Sequence, residues 1–279
     1  LFGFIFYLPW LVVGIPPEIF FASGAINLVY QFWVHTQHVR RIGPLEYVLV
    51  TPSNHRVHHA QNAIYIDRNY GGILCVWDRL FGTFQDELGS EPCIYGIRRP
   101  LQSFNPFWAN LHVYWSTFLD SWHTRRWSDK FRVWLTGPGW RPEVVAMAHP
   151  VEKTDLVHFH KFDPPVPLSN RLYAFFQFVC ATLATTGLLM VSGQWTSDQL
   201  LLATVLVCLA FYVQALFTEG RSSAVLMEVA RLLSVFLAAR YLPLGPQSSL
   251  VLMAYLVASL LFLAALHLRI SDRFREQTL

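Results

Sequence analysis

The sequence predicts an all-α, polytopic integral membrane protein with a cytoplasm-facing, histidine-rich metal site. Three observations carry this expectation. Of 279 residues, 53% are hydrophobic and 15% aromatic while only 14% are charged, well below the roughly 25% charge of soluble domains. Toward the C-terminus four apolar stretches follow one another, each of the roughly twenty residues that cross a ~30 Å hydrocarbon core as a helix. In a chain of this composition, "TPSNHRVHH" at 51–59 places His55, His58 and His59 within five residues.

The first element is an apolar block at 1–34, interrupted by Pro16 and Pro17. It lacks the basic flank and small-residue cleavage site of a signal peptide. The reading is a chain that begins inside a hydrophobic hairpin, as part of a longer protein.

Residues 35–168 hold 14 of the 21 Lys and Arg and 12 of the 18 Asp and Glu, so this segment faces water. Within it, Pro52, Ser53 and Asn54 predict a helix start with Ser53 or Asn54 as cap. His55, His58 and His59 then follow at i, i+3 and i+4, on one face. Neutral imidazole is the commonest protein metal ligand, and such a face can bring ring nitrogens within ~2.0–2.2 Å of one ion. Upstream, "FWVHTQH" supplies His35, read as a fourth ligand, and His38, whose direction nothing local fixes. The isolated histidines 112, 123, 149, 158, 160 and 267 read as ordinary structural residues.

After the cluster, "DRNYGG" at 67–72 predicts a chain reversal in which Gly71 and Gly72 permit close backbone approach. Asp67 and Asp78 are candidate acceptors for a histidine N–H, a contact that would fix the ring's tautomer; solvated turn aspartates are the open alternative. Trp77, Leu80, Phe81 and Phe84 recur at near-helical spacing and read as packing. Residues 103–135 mix Trp, Phe and basic side chains as helices at a membrane interface do, with Arg125, Arg126, Lys130 and Arg132 toward head groups. Residues 141–168 read as a connecting loop stiffened by "DPPVP".

The four predicted spans are 172–192, 199–217, 224–242 and 250–267, separated by "SGQWTSD", "TEGRSS" and "LPLGPQSS". Lys161 and Arg171 precede the first, Arg221 follows the second, and Arg269, Arg273 and Arg275 follow the fourth. By the positive-inside tendency these ends face the cytoplasm. Glu228 and Arg231, three apart in the third span, are expected to pair and so lower the cost of charge in lipid. The organisation expected is a metal-site domain at 1–85, a cap and linker at 86–168 and a four-helix transmembrane region at 169–279.

Several function classes find no support. No nucleotide-binding glycine signature, nucleophile elbow or internal repeat is present. Cys75, Cys93, Cys180 and Cys208 are isolated, forming neither a metal knuckle nor a disulfide framework. A net charge of +3 without a base-reading module argues against nucleic acid as a partner.

"PSNHRVHHAQNAIYIDRNYGGILCVWDRLFGTF", with "YQFWVHTQ" before it and "GPGWRP" at 137–142 after it, resembles the C-terminal histidine box of the fatty acid hydroxylase and sterol desaturase superfamily. The resemblance implies a membrane diiron oxygenase whose irons are held by histidines in three boxes. Its last box maps onto His55, His58 and His59, and a lone preceding histidine onto His35. Gln37 stands where the family often has an acidic residue. The earlier boxes would precede Leu1, so the chain alone is expected to be inactive. Similarity is strongest to the superfamily's ether-lipid branch. That implies O2-dependent hydroxylation of the carbon beside an alkylglycerol ether oxygen, collapse to fatty aldehyde and glycerol, and tetrahydrobiopterin as electron donor. The membrane would be the endoplasmic reticulum in a eukaryote or the inner membrane in a bacterium. A sterol or fatty acyl substrate, and a non-catalytic metal-binding membrane protein, are the alternatives.

Overall fold

The computed structural model describes the backbone at residue 5, residues 7–137 and residues 139–276, and side chains as far as residue 266. The start of the chain at 1–4 and the side chains of His267, Arg269, Arg273 and Arg275 lie outside the described residues. In chain order the helices are α1 (Leu8–Val12), α2 (Pro17–Val34), α3 (Pro52–His58), α4 (Val76–Phe81), α5 (Pro106–His123), α6 (Trp127–Leu135), α7 (Glu143–Ala148), α8 (Leu168–Val191), α9 (Ser197–Thr218), α10 (Ala224–Ala238) and α11 (Pro246–Glu276), with a 3-10 helix at Gly43–Tyr47. No strand occurs among the described residues; two isolated antiparallel bridges, Leu49 to Leu74 and Ala60 to Tyr95, are the sheet-like pairings. The all-helical expectation is borne out.

The chain divides into two compact units, residues 1–101 with 137–160, and residues 102–136 with 161–279. In the first, Pro17 opens α2 at its first helical position, where a proline's missing N–H breaks no helical bond. His35 ends it by leaving helical backbone angles, at φ −82° and ψ 59°. Around α3 most hydrogen bonding is non-repetitive. Asn62 donates to Glu91 and to the Pro92 carbonyl and accepts from the Ile94 N–H, while the Tyr65 hydroxyl donates to the Glu91 carbonyl and accepts from the Leu88 N–H. These bonds tie residues 61–65 to 88–95 over a small core of Val57, Ala60 and Tyr65. The predicted loop at 141–168 contains a short helix, α7, which buries Val145.

In the second unit α8, α9 and the Pro246–Leu266 part of α11 are long and apolar enough to cross a membrane. At 1.5 Å per residue they span ~36, ~33 and ~31 Å. The third predicted span differs. Its helix, α10, has 15 residues, ~22 Å, short of a full crossing; the predicted segment ran on into Ala239–Leu242, where the chain turns toward Pro243. Among the described residues three helices, not four, therefore meet the length criterion.

Glu228 and Arg231 do pair, at 2.6 and 2.7 Å, and the pair is embedded in a larger network. Tyr173 and Gln177 of α8 and Tyr255 and Ser259 of α11 complete it. Tyr173 donates to Glu228 at 2.5 Å, Arg231 donates to Gln177 at 3.0 Å, and Gln177 donates to Ser259 at 3.0 Å. Lys130, expected to face lipid head groups, instead donates to the Ser121 and Trp122 carbonyls and caps α5, a role that suits a cation at a helix C-terminus.

Candidate metal centre

The histidine helix is capped two or three residues earlier than predicted. Thr51, not Ser53 or Asn54, is its N-cap, accepting from the Asn54 N–H, with Pro52 at the first helical position. The helix is seven residues long and His59 is its C-cap. Packing and side-chain anchors hold so short a helix in place. Arg56 forks onto Glu87 at 2.6 and 2.9 Å and donates to the Thr36 and Val39 carbonyls, and Ser53 donates to Glu87 at 2.8 Å. Burial alone would raise the Glu87 carboxyl pKa, but the bonds from Arg56 and Ser53 hold it below the usual range. Asn69, in left-handed backbone at φ 53°, donates to the Asn54 and Gln85 carbonyls.

This frame brings His35, at the end of α2, against the α3 histidines. The Nε2 atoms of His35, His55 and His59 form a triangle with sides of 2.9, 3.0 and 3.1 Å, and each offers a ligand atom to one ion. Ligands ~2.1 Å from a metal stand ~3.0 Å apart when mutually perpendicular and ~3.4 Å apart when tetrahedral. The triangle therefore has the spacing of three ligands to one ion, nearer the perpendicular value than the tetrahedral one.

The ring orientations agree. His35 Nδ1 lies 2.5 Å from the Gln31 carbonyl, so Nδ1 carries the proton and Nε2 presents a lone pair. Gln31 is itself fixed, donating to the Gly72 carbonyl at 2.7 Å. His55 is 6% exposed; burial, with the neighbouring rings of His59, His35 and His58, lowers its pKa to about 3. Burial and the rings of His58 and His35 likewise lower that of His59. Both are thus neutral and ligand-ready near pH 7. His55 Nδ1 is buried without a hydrogen-bond partner, a local cost of the kind functional sites carry.

His58 stands outside the triangle. Its Nδ1 faces the Arg68 carbonyl at 3.4 Å and its ring stacks 5.6 Å from that of His55. His38 is absent from the cluster; its backbone N–H is bound by the Thr36 hydroxyl. Neither expected aspartate bonds a histidine. Asp78 is buried and accepts from the Tyr70 and Gly71 N–H groups and the Thr83 hydroxyl; Asp67 accepts from the Tyr70 hydroxyl. Backbone carbonyls occupy the place given to them, and sequence reasoning missed these because a carbonyl has no residue-type signature. A cavity beside the triangle is lined by His35, His55, His59, Gln37, Tyr95 and Ile97, among others.

Three converging imidazoles at the end of an apolar helix, His55 buried and His35 and His59 exposed, define a class, the candidate histidine-ligated metal site. The comparisons agree: residues 1–83 match the fatty acid hydroxylase family model, as the resemblance implied. The chain is 35% identical over 241 residues to alkylglycerol monooxygenase of Xenopus tropicalis, covering 85% of this chain and 53% of that protein. It is 32% identical over 250 residues to alkylglycerol monooxygenase of Homo sapiens, covering 88% and 54%. A shorter match, 34% over 79 residues, links it to ornithine lipid hydroxylase OlsE of Rhizobium tropici, covering 28% and 24%. The chain spans about half the length of the alkylglycerol monooxygenases it matches. No solved structure matches it.

Proposed function

We propose that the chain supplies part of the iron site of a membrane lipid monooxygenase, with O-alkylglycerols as substrates. The observation that carries this reading is the convergence of three Nε2 atoms at the spacing of ligands to one ion within the hydroxylase-like segment; similarity to proteins named alkylglycerol monooxygenase supports the substrate class. Iron bound at these nitrogens would supply oxygen-activating chemistry. His35, His55 and His59 would hold one ion, and His58, whose Nδ1 faces a carbonyl, would offer Nε2 to the second ion of a pair. Four imidazoles are too few for two irons, so the chain alone is inactive in this reading.

The protein's own residues prepare the site. Gln31 fixes the His35 tautomer, the low pKa of His55 and His59 keeps protons off the ligand nitrogens, and Val34 and Ile97 give the cavity apolar wall. In the overall reaction one oxygen atom of O2 enters the C–H bond beside the ether oxygen. The other leaves as water with two electrons and two protons from tetrahydrobiopterin. The resulting hemiacetal collapses to fatty aldehyde and glycerol. Residues 1–85 form the metal-site portion, 86–168 the cap and linker and 169–279 the membrane region, with the metal site on the cytoplasmic side.

The test pairs plasma emission spectrometry of the detergent-purified protein, wild type beside His58→Ala with His59→Ala, with aldehyde release from 1-O-alkylglycerol. Iron in the wild type that the double variant loses is the expected result, with aldehyde formed once the remaining iron ligands are supplied. Zinc or no metal in both would sink the redox reading. The match to an ornithine lipid hydroxylase favours, as second reading, hydroxylation of another lipid; hydroxylated product without aldehyde would select it.

A further inference from the structure

The segment read as packing, Trp77, Leu80 and Phe81, is not packed. These side chains sit at i, i+3 and i+4 of α4 and are 54%, 70% and 74% exposed. Beside them the 3-10 helix turns outward Leu45, Tyr47 and, just after it, Val48. The two elements are pinned by Cys75 N–H to the Val48 carbonyl at 2.9 Å, Val50 N–H to the Ile73 carbonyl at 2.8 Å, and Arg79 to the Glu46 carbonyl at 3.2 Å. They move as one.

The charges on this surface are sorted. Both acids of residues 43–48 and 73–84, Glu46 and Asp78, point inward at 8% and 2% exposure, which leaves Arg79 as the one exposed charge of the two segments. Its guanidinium lies over the rings of Tyr47 and Phe84, at 4.9 and 3.6 Å. A face turned to water would carry acids and lysines; one buried against protein would not need its one cation laid flat on aromatic rings. Trp, Tyr, Leu and a snorkelling arginine, with no outward carboxylate, match the chemistry of the bilayer's head-group and acyl boundary.

We infer that the α4 and 3-10 face of Leu45, Tyr47, Val48, Trp77, Leu80 and Phe81 is a lipid-seating surface, immersed at the bilayer interface. A short run of contacts links it to the candidate metal centre. The Asp78 carboxylate behind α4 binds the Tyr70 and Gly71 N–H groups, and the Tyr70 ring lies 6.1 Å from that of His58. The depth at which α4 sits therefore sets the height of the histidine helix above the lipid.

The test uses the unsubstituted protein in phosphatidylcholine vesicles containing a phospholipid with a diazirine on its acyl chain. After photolysis, adducts are mapped by mass spectrometry, with α9 as the positive control and residues 85–92 as the aqueous control. Hydroxyl-radical footprinting of the same peptides is run alongside. The expected result is lipid adducts on Trp77, Leu80 or Phe81 at about tenfold the level of 85–92. Adducts on α9 with none on 77–81 would overturn the inference, strong footprinting then placing the face in water and weak footprinting placing it under protein. Neither outcome depends on the metal or on catalytic activity.

Discussion

His35 and His55 belong to different elements, yet their Nε2 atoms stand 2.9 Å apart with His59 Nε2 within 3.1 Å of both. Two lone pairs at that distance, with no proton to share, repel; a cation between them removes the repulsion. His35→Ala, His55→Ala and His59→Ala should each weaken iron binding by on the order of 100-fold or more, a larger loss than outer-sphere changes cause. His58→Ala, outside the triangle, should weaken binding of that ion far less. Iron titration of the four variants, followed by absorbance and emission spectrometry, checks the order.

Acid should destabilise the metal-free protein. An unfolded histidine titrates near 6.5, whereas folded His55 does so at about 3 and His59 is also lowered. Between those values the unfolded chain binds more protons, so stability falls as pH falls. It is fully present above about 6.5 and is lost progressively toward the folded value of about 3. Melting in excess chelator from pH 7.5 to 4.5 should show a decreasing midpoint, and His55→Gln should flatten the slope.

Glu87 binds Arg56 through two oxygens and accepts from Ser53 as well. With the Arg56 and Glu87 side chains 11% and 23% exposed, Glu87→Gln should cost about 2–3 kcal/mol, because it leaves a largely desolvated guanidinium half paired. Chemical denaturation of the metal-free protein measures this. The same variant should weaken iron binding, since Arg56 also holds the Thr36 and Val39 carbonyls next to His35.

Gly71 has no room for a methyl group: a Cβ there would lie 2.6 Å from the Leu74 carbonyl oxygen and 2.8 Å from the Asp78 carboxylate. Gly89 has nothing within 4 Å. Gly71→Ala should therefore destabilise by about 1–3 kcal/mol and lower iron occupancy, while Gly89→Ala stays near wild type in both, read by melting and metal analysis.

The helical class and the α8, α9 and α11 spans were legible because twenty-residue apolar runs have few other solutions. So were His55 and His59, since spacing on one helix fixes their shared face, and His35 followed from its place at the end of an apolar stretch. The position of His58 was not, because which imidazoles converge depends on where α2 ends, a tertiary fact. Asp67 and Asp78 misled for a related reason. A carboxylate near a histidine in sequence looks like its partner, but here the turn at 67–72 needed acceptors for its own N–H groups and took Asp78. For Trp77, Leu80 and Phe81 the helical periodicity is observed but the side chains are exposed: periodicity marks an apolar face without saying what it faces.

The buried network around Arg231 bears on how the chain enters the membrane. A 15-residue segment carrying a glutamate and an arginine is a poor independent client for a translocon, whose centre-of-helix penalty is about 2.5–3.5 kcal/mol per charge. Its outside partners lie on α8, made earlier, and on α11, made later: Gln177 and Tyr255 both accept from Arg231. The α10 segment is thus expected to wait in a half-inserted state during synthesis and to settle only when Tyr255 has emerged. Truncation between α10 and α11 should then trap a glycosylation- or protease-accessible intermediate.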